Sequence, residues 1–119
     1  MKIQVEAVRL YEGAEFLAQQ MARRGGRAVV VLPSKAAFQV WAPVFEEAFL
    51  HNDEYDEIPE IVKSRRLLEC GGVKVMFVSP DSVLDGYHFE WAVFERGLSL
   101  PPGLHLAMPT QRVIMVDGL

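Results

Sequence analysis

The sequence predicts an α/β domain built on a mostly parallel sheet flanked by helices in three layers. Two observations carry that expectation. A continuous apolar run, Ala-Val-Val-Val-Leu at 28–32, and a second strand-like segment, Val-Lys-Val-Met-Phe-Val at 73–78, have the character of buried strands of a sheet. Segments of helical period lie between the strand-like ones, and that alternation favours right-handed crossovers with helices on the sheet faces.

Residues 2–10 alternate Ile3, Val5 and Ala7 with polar neighbours, the pattern of a strand with one buried face. Residues 12–24 then place Phe16, Leu17, Gln20, Met21 and Arg24 at helical spacing. Arg23 and Arg24 fall in the last turn of that predicted helix, where cations suit the dipole, and Gly25-Gly26 supplies a left-handed cap. The valine run follows. Pro33 ends it, and Ser34 is placed to cap the next helix. That helix carries Ala37, Phe38, Trp41, Val44, Phe45, Ala48 and Phe49 on one broad face, and Pro43 should kink it or open its second half. Residues 51–57 form an acidic loop. A third helix is expected next, with Pro59 in its first turn, an apolar set of Ile58, Ile61, Val62, Leu67 and Leu68, and Gly71-Gly72 as its stop. The strand at 73–78 leads into turns at Ser79-Pro80-Asp81 and Asp85-Gly86. Residues 89–94 read as a further strand, Pro101-Pro102-Gly103 as a loop, and 104–108 with 112–116 as two short strands forming an antiparallel hairpin around Pro109-Thr110.

The 119 residues fit a single domain spanning 1–119, long enough to bury roughly two thirds of its unfolded surface. Half the residues are hydrophobic and about a quarter are charged, which argues against disorder. No apolar run approaches the ~18 residues of a membrane span, and no long hydrophobic stretch follows Met-Lys-Ile-Gln-Val. A cytoplasmic protein without a signal peptide is therefore expected. The single cysteine, Cys70, excludes an internal disulfide and fits a reducing compartment, with a buried structural thiol as the simplest role.

Charge is unevenly distributed. Residues 1–35 hold six Lys or Arg against three acids, 36–62 hold seven acids and no base, and 63–119 balance at six each. A net charge of −4 disfavours autonomous binding to nucleic acid, which rests on neutralising phosphates, although Arg23, Arg24 and Arg27 form a small basic patch.

Residues 21–49, where glycines precede a strand of valines and then Pro33-Ser34-Lys35 and a helix with Gln39 and Trp41, resemble the second strand of helicase and phage terminase ATPase cores. Residues 73–86, an apolar strand ending in Ser79-Pro80, resemble the next strand of those cores. Residues 88–95 stand where the Walker B strand would be, and Ala107-Met108-Pro109-Thr110 where a Ser-Ala-Thr-like motif would be. The resemblance implies a P-loop or Rossmann-like fold. It also implies a degenerate, non-hydrolysing copy. A phosphate cradle needs Gly-x-x-x-x-Gly-Lys-Ser/Thr. Here Tyr11-Glu12-Gly13-Ala14-Glu15-Phe16 retains only Gly13 and sets two carboxylates where phosphate oxygens would lie. Phe94 replaces the Walker B aspartate, while Glu95 stands where the catalytic glutamate would be. Without lysine and aspartate the charge neutralisation of phosphoryl transfer is lost.

The expected role is thus a non-catalytic accessory or protein-interaction module, phage-encoded if the likeness to terminases holds. No catalytic residue, cofactor or metal is assigned. The partner would be a protein, with homo-oligomerisation left open. Asp53, Glu54, Asp56 and Glu57 are candidates for contact with a basic partner. The acidic loop lacks the spacing and glycine of an EF-hand, so a solvated loop is the simpler reading. His51, His88 and His105 show no zinc-ligand spacing. The alternative is a small enzyme or nucleotide binder using the strand ends, where open parallel sheets hold ligands. Its candidate ligand residues are Ser34, Lys35, Ser79, Asp81 and Asp85. Trp41, Trp91, Phe38, Phe45, Phe49, Phe77 and Phe94 match buried faces better than a base-stacking platform, with some of the set expected at a partner surface.

Overall fold

The computed structural model describes residues 3–84, 86–105, 107, 108 and 112–117, with the side chains of residues 3 and 6–8 outside that set. Seven strands form one mixed sheet: β1 (Ile3–Val8), β2 (Gly26–Val31), β3 (Glu60–Val62), β4 (Leu67–Cys70), β5 (Val73–Val78), β6 (Trp91–Glu95) and β7 (Arg112–Val116). Their spatial order is β1-β7-β6-β2-β5-β4-β3. The five strands from β1 to β5 in that order run parallel, and β4 and β3 add an antiparallel edge.

The valine run occupies the centre. β2 lies between β5 and β6, with Val30 level with Phe77 on one side and Val93 on the other. Residues 28–32 are all fully buried. Alternation splits them between two cores. Ala28, Val30 and Leu32 face the helices, whereas Val29 and Val31 face the opposite side.

Both helices, α1 (Leu10–Met21) and α2 (Phe38–Leu50), cover the same face and pack on each other. α1 starts one residue after β1, and the Glu12 carboxylate accepts the Arg9 backbone N–H at 3.1 Å to close its first turn. It ends at Met21, so Arg23 and Arg24 lie beyond the last turn rather than in it. Val5 packs under this layer, while the side chains of Ile3 and Ala7 lie outside the described set. A short 3-10 turn at Lys35–Ala37 precedes α2. Ser34 holds its N-cap position with extended backbone, but its side chain makes no capping bond. Exposed Pro43 sits within α2. Phe45 and Phe38 meet Phe77 edge-on at 5.5 Å, and Phe16 meets Trp91 at 5.8 Å. Of the seven ring residues singled out from the sequence, five are buried, and only Phe38 and Phe94 stay half-exposed.

The opposite face carries no helix among the described residues. Leu84, Phe89, Leu104, Ala107 and Met108, from the two connections flanking β6, pack on it as coil and turns. Pro80, Pro101, Pro102 and the adjacent turn formers explain this, since proline removes helical hydrogen bonds. Crossovers remain consistent in hand. β1 reaches β2 over the helix face, and β5 to β6 and β6 to β7 step back the other way over the opposite face.

Two expected elements are replaced. The third helix is instead β3, a 3-10 turn at Lys63–Arg65, and β4. Arg66, in left-handed backbone with φ +48°, reverses the chain between them. Gly71-Gly72 is a two-residue hairpin turn, with Cys70 paired to Val73 and Gly71 at φ +59°. Cys70 therefore ends a strand, and its buried thiol donates to the Glu57 carbonyl at 3.4 Å. The C-terminal hairpin is also overturned. Leu104, His105 and Ala107 lie in turns, and β7 runs parallel between β1 and β6. Pro109 and Thr110 lie outside the described residues.

At the amino end of β2, Gly26 has φ +100°, and a Cβ there would come within 2.7 Å of the Glu90 carboxylate. That carboxylate accepts the Arg27 N–H at 2.7 Å, while the Glu90 N–H donates back to the Arg27 carbonyl at 2.8 Å. Gly26→Ala is therefore expected to lower stability by ~1–3 kcal/mol, read as a drop in the urea midpoint. Val30→Asp should give no cooperative unfolding transition, because it buries a charge with no partner, whereas Val30→Ala should fold with a loss of ~2 kcal/mol.

Candidate functional site

Parallel strands bring their carboxyl ends to one edge, and here the chain leaves β2 toward the helix face and β5 toward the opposite face. Ligands of open α/β sheets bind at such divergences. Ser34 and Lys35 follow β2, and Ser79 and Asp81 follow β5, so four of the five strand-end candidates converge. Asp85 lies outside the described residues.

The Ser79 hydroxyl donates to Asp81 Oδ1 at 2.5 Å, and the Ser82 hydroxyl oxygen accepts the Ser79 N–H at 3.1 Å. With the Ser82 N–H donating to the Ser79 carbonyl at 3.0 Å, those contacts close the turn after β5. The Ser79 hydroxyl foremost, then a backbone hydrogen bond and the nearby Lys35 ammonium, hold the exposed Asp81 carboxyl below its usual range, against a small opposing effect of desolvation. Arg66 stacks over the Phe38 ring at 5.1 Å and donates to the Lys35 carbonyl at 3.2 Å. The edge thus carries the Lys35 ammonium near the Asp81 carboxylate and the Arg66 guanidinium on a carbonyl, a mixed-charge surface.

Gly13 is buried within α1, its N–H donating to the Arg9 carbonyl at 2.9 Å. Residues 11–16 are helix from the outset, with Arg9 the sole link between β1 and α1. Phe94 and Glu95 end β6, both half-buried.

The larger feature lies between α1 and α2. A groove of about 970 Å³ opens there to solvent. Among the described residues five carboxylates line it, from Glu12, Glu15, Glu47, Asp53 and Glu54, and no lysine or arginine does. Its apolar surface comes from Tyr11, Phe16, Val44 and Ala48. Helical spacing explains the arrangement. Tyr11, Glu12, Glu15 and Gln19 share one face of α1, and Val44, Glu47, Ala48 and His51 share one face of α2 and its cap. His51 Nε2 meets Glu47 at 2.7 Å, and Arg23 reaches Glu54 at 3.6 Å from outside the groove.

The acidic loop forms one rim. Asn52 Oδ1 accepts the Glu54 N–H at 2.9 Å, an Asx turn. The Tyr55 hydroxyl donates to the Ala18 carbonyl of α1 at 2.7 Å, and its ring packs on Phe49. Burial, aided by Cys70 and Glu54, pushes this phenol above its ordinary range, so it stays a neutral donor. Tyr55 thereby fixes Asp53 and Glu54 against α1. The four acidic-loop candidates separate in role. Asp53 and Glu54 line the groove, and Asp56 is exposed away from it. Glu57 is committed to structure, because its carboxylate accepts the Gly71 N–H at 3.2 Å. Glu12, Glu15 and Glu47 were not among the expected partner residues. Their signal was available, as acids at positions 12, 15 and 47 beside apolar neighbours on predicted helices.

Among the described residues no three His, Cys, Asp or Glu converge as a metal site, and no helix is long and apolar enough to cross a membrane. No family model, curated protein or solved structure matches this chain.

Ser79→Ala removes the largest influence on Asp81. The Asp81 carboxyl should then titrate at higher pH, followed by its carboxyl carbon resonance in NMR. The sign is set by the lowered folded-state value. Any stabilisation from ionised Asp81 is complete above the ordinary carboxylate range and is lost as pH falls through the folded value, so the variant should lose it at a higher pH than the parent.

Proposed function

We propose that this chain is a non-catalytic interaction module that holds a basic, amphipathic segment of a partner protein in the groove between α1 and α2. The observation that carries the reading is the combination of five carboxylates with an apolar floor in one open groove. Carboxylates steer and orient a cationic segment, and the apolar floor supplies the burial that exposed ion pairs alone do not. Recognition would follow the helix-in-groove mode, in which apolar anchors at helical spacing enter a groove and flanking charges set specificity.

The likeness of residues 21–49 and 73–86 to helicase and terminase cores supports a finer proposal. The chain is a degenerate, non-hydrolysing relative of those cores, and its partner is a protein of replication, packaging or transcription, in a phage or its host. The start of α1 directly after β1, with Glu12 engaged at its first turn, is in keeping with the loss of phosphate handling there.

The test uses a fluorescein-labelled Leu/Lys amphipathic peptide and its Leu/Glu counterpart in anisotropy titrations. The Lys peptide should bind, with affinity falling as salt rises, and the Glu peptide should not. Neutralising Glu15, Glu47 and Asp53 together to Gln, Gln and Asn should weaken binding about tenfold, the sum of several exposed pairs worth ~0.5 kcal/mol each. Equal binding to the neutralised protein would remove the groove from consideration.

A second reading is favoured by one observation, the convergence of Ser34, Lys35, Ser79 and Asp81 at neighbouring strand ends. It makes the chain a nucleotide binder or small enzyme. Magnesium ATP should leave the melting temperature unchanged under the interaction reading, and a saturable rise would favour the strand-end site instead.

A further inference from the structure

The opposite face of the sheet bears a second cavity, separate from the groove. Coil from the connections beside β6 packs over this side, with Val113 of β7 against the same cluster. It leaves a pocket of about 360 Å³. Phe94 of β6 with Val113 and Met115 of β7 form its floor, and Gln4 of β1 lies at its side. Leu100, Pro101, Leu104 and Met108, from the connection between β6 and β7, wall it. Register sets the orientation. Phe94 pairs with Met115 and Gln4 with Val113, whereas the alternate residues Val93 and Ile114 point into the helix-side core.

We infer that this pocket binds a small, uncharged aromatic molecule. Its size falls within the ~300–1,000 Å³ of small-molecule sites, and its lining has their usual make-up of apolar walls with a few polar groups. Among the described residues no Lys, Arg, Asp or Glu lines it, in contrast to the groove, and the polar groups among them are Gln4 and His105. A charged occupant would lose hydration and meet no counter-charge from these residues. Met108 and Met115 supply adaptable thioethers that suit ring edges, and half-buried Phe94 offers a ring for stacking or edge contact. A rigid ring system loses little conformational freedom on entry. A second copy of the chain is a poorer occupant. A concave pocket does not complement itself across a two-fold axis, and each copy carries a net charge of −4.

The probe is neutral N-phenyl-1-naphthylamine, titrated into the full chain and followed by fluorescence. A saturable, blue-shifted enhancement with one site per chain is expected. Leu100 is 40% exposed, so Leu100→Asp should fold with an unchanged circular-dichroism melt and bind the probe at least about tenfold more weakly. Met115→Gln tests the floor independently and should weaken binding in the same direction. Lys63→Gln, at an exposed position of the 3-10 turn before β4, should leave it unaltered. Absence of enhancement would overturn the inference, as would enhancement that both pocket variants leave intact. It would equally be overturned if the probe were displaced as the chain self-associates at rising concentration in sedimentation runs.

Discussion

Everything in this structure answers to the burial of β2 on both of its faces. A parallel strand with valines pointing both ways needs a covering layer on each side and a strand at each edge. Phe77 and Val93 flank Val30 in the sheet, two helices cover one face, and coil covers the other. The two layers differ in kind, and both surface cavities arise from that difference. Two cylinders lying side by side leave a furrow between them. On the other face, coil between β6 and β7 walls a pocket whose floor is Phe94, Val113 and Met115.

Much of the scaffold was legible because its signals are local. The valine run, the aromatic stripe of α2 and the strand at 73–78 each declare their type within a few residues. The misreading of 58–70 has a local cause too. Ile58, Ile61, Val62, Leu67 and Leu68 mimic a helical face, and Gly71-Gly72 resembles a helix stop. Yet two glycines between Leu-Leu-Glu-Cys and Val-Lys-Val are equally a two-residue hairpin, and the Cys70–Val73 pairing shows which reading the chain adopts. The position of β7 was not legible. Parallel insertion between β1 and β6 depends on partners remote in sequence and leaves no mark near residue 112.

The same division holds for function. Ser34, Lys35, Ser79 and Asp81 could be grouped from sequence because neighbouring parallel strands deliver their ends to one place. The acidic groove could be grouped only in part. Asp53 and Glu54 stand out within a run of acids, but Glu12, Glu15 and Glu47 join them only once α1 and α2 are packed together. Glu57 looks like its neighbours in sequence and does different work, since it binds the turn at Gly71.

The pairing of β1 with β7 has a consequence for how the chain comes to be folded. Ile3 finds its sheet partner at Arg112, so on a ribosome β1 must wait for the much later β7. Among the described residues the other edge of β1 has no strand beside it. Throughout synthesis β1 therefore presents open backbone donors and acceptors on both sides, an invitation to wrong partners that long-range topologies share. Closure of the sheet by β7 is the step that ends this exposure on one side, so a segment made later protects one made earlier.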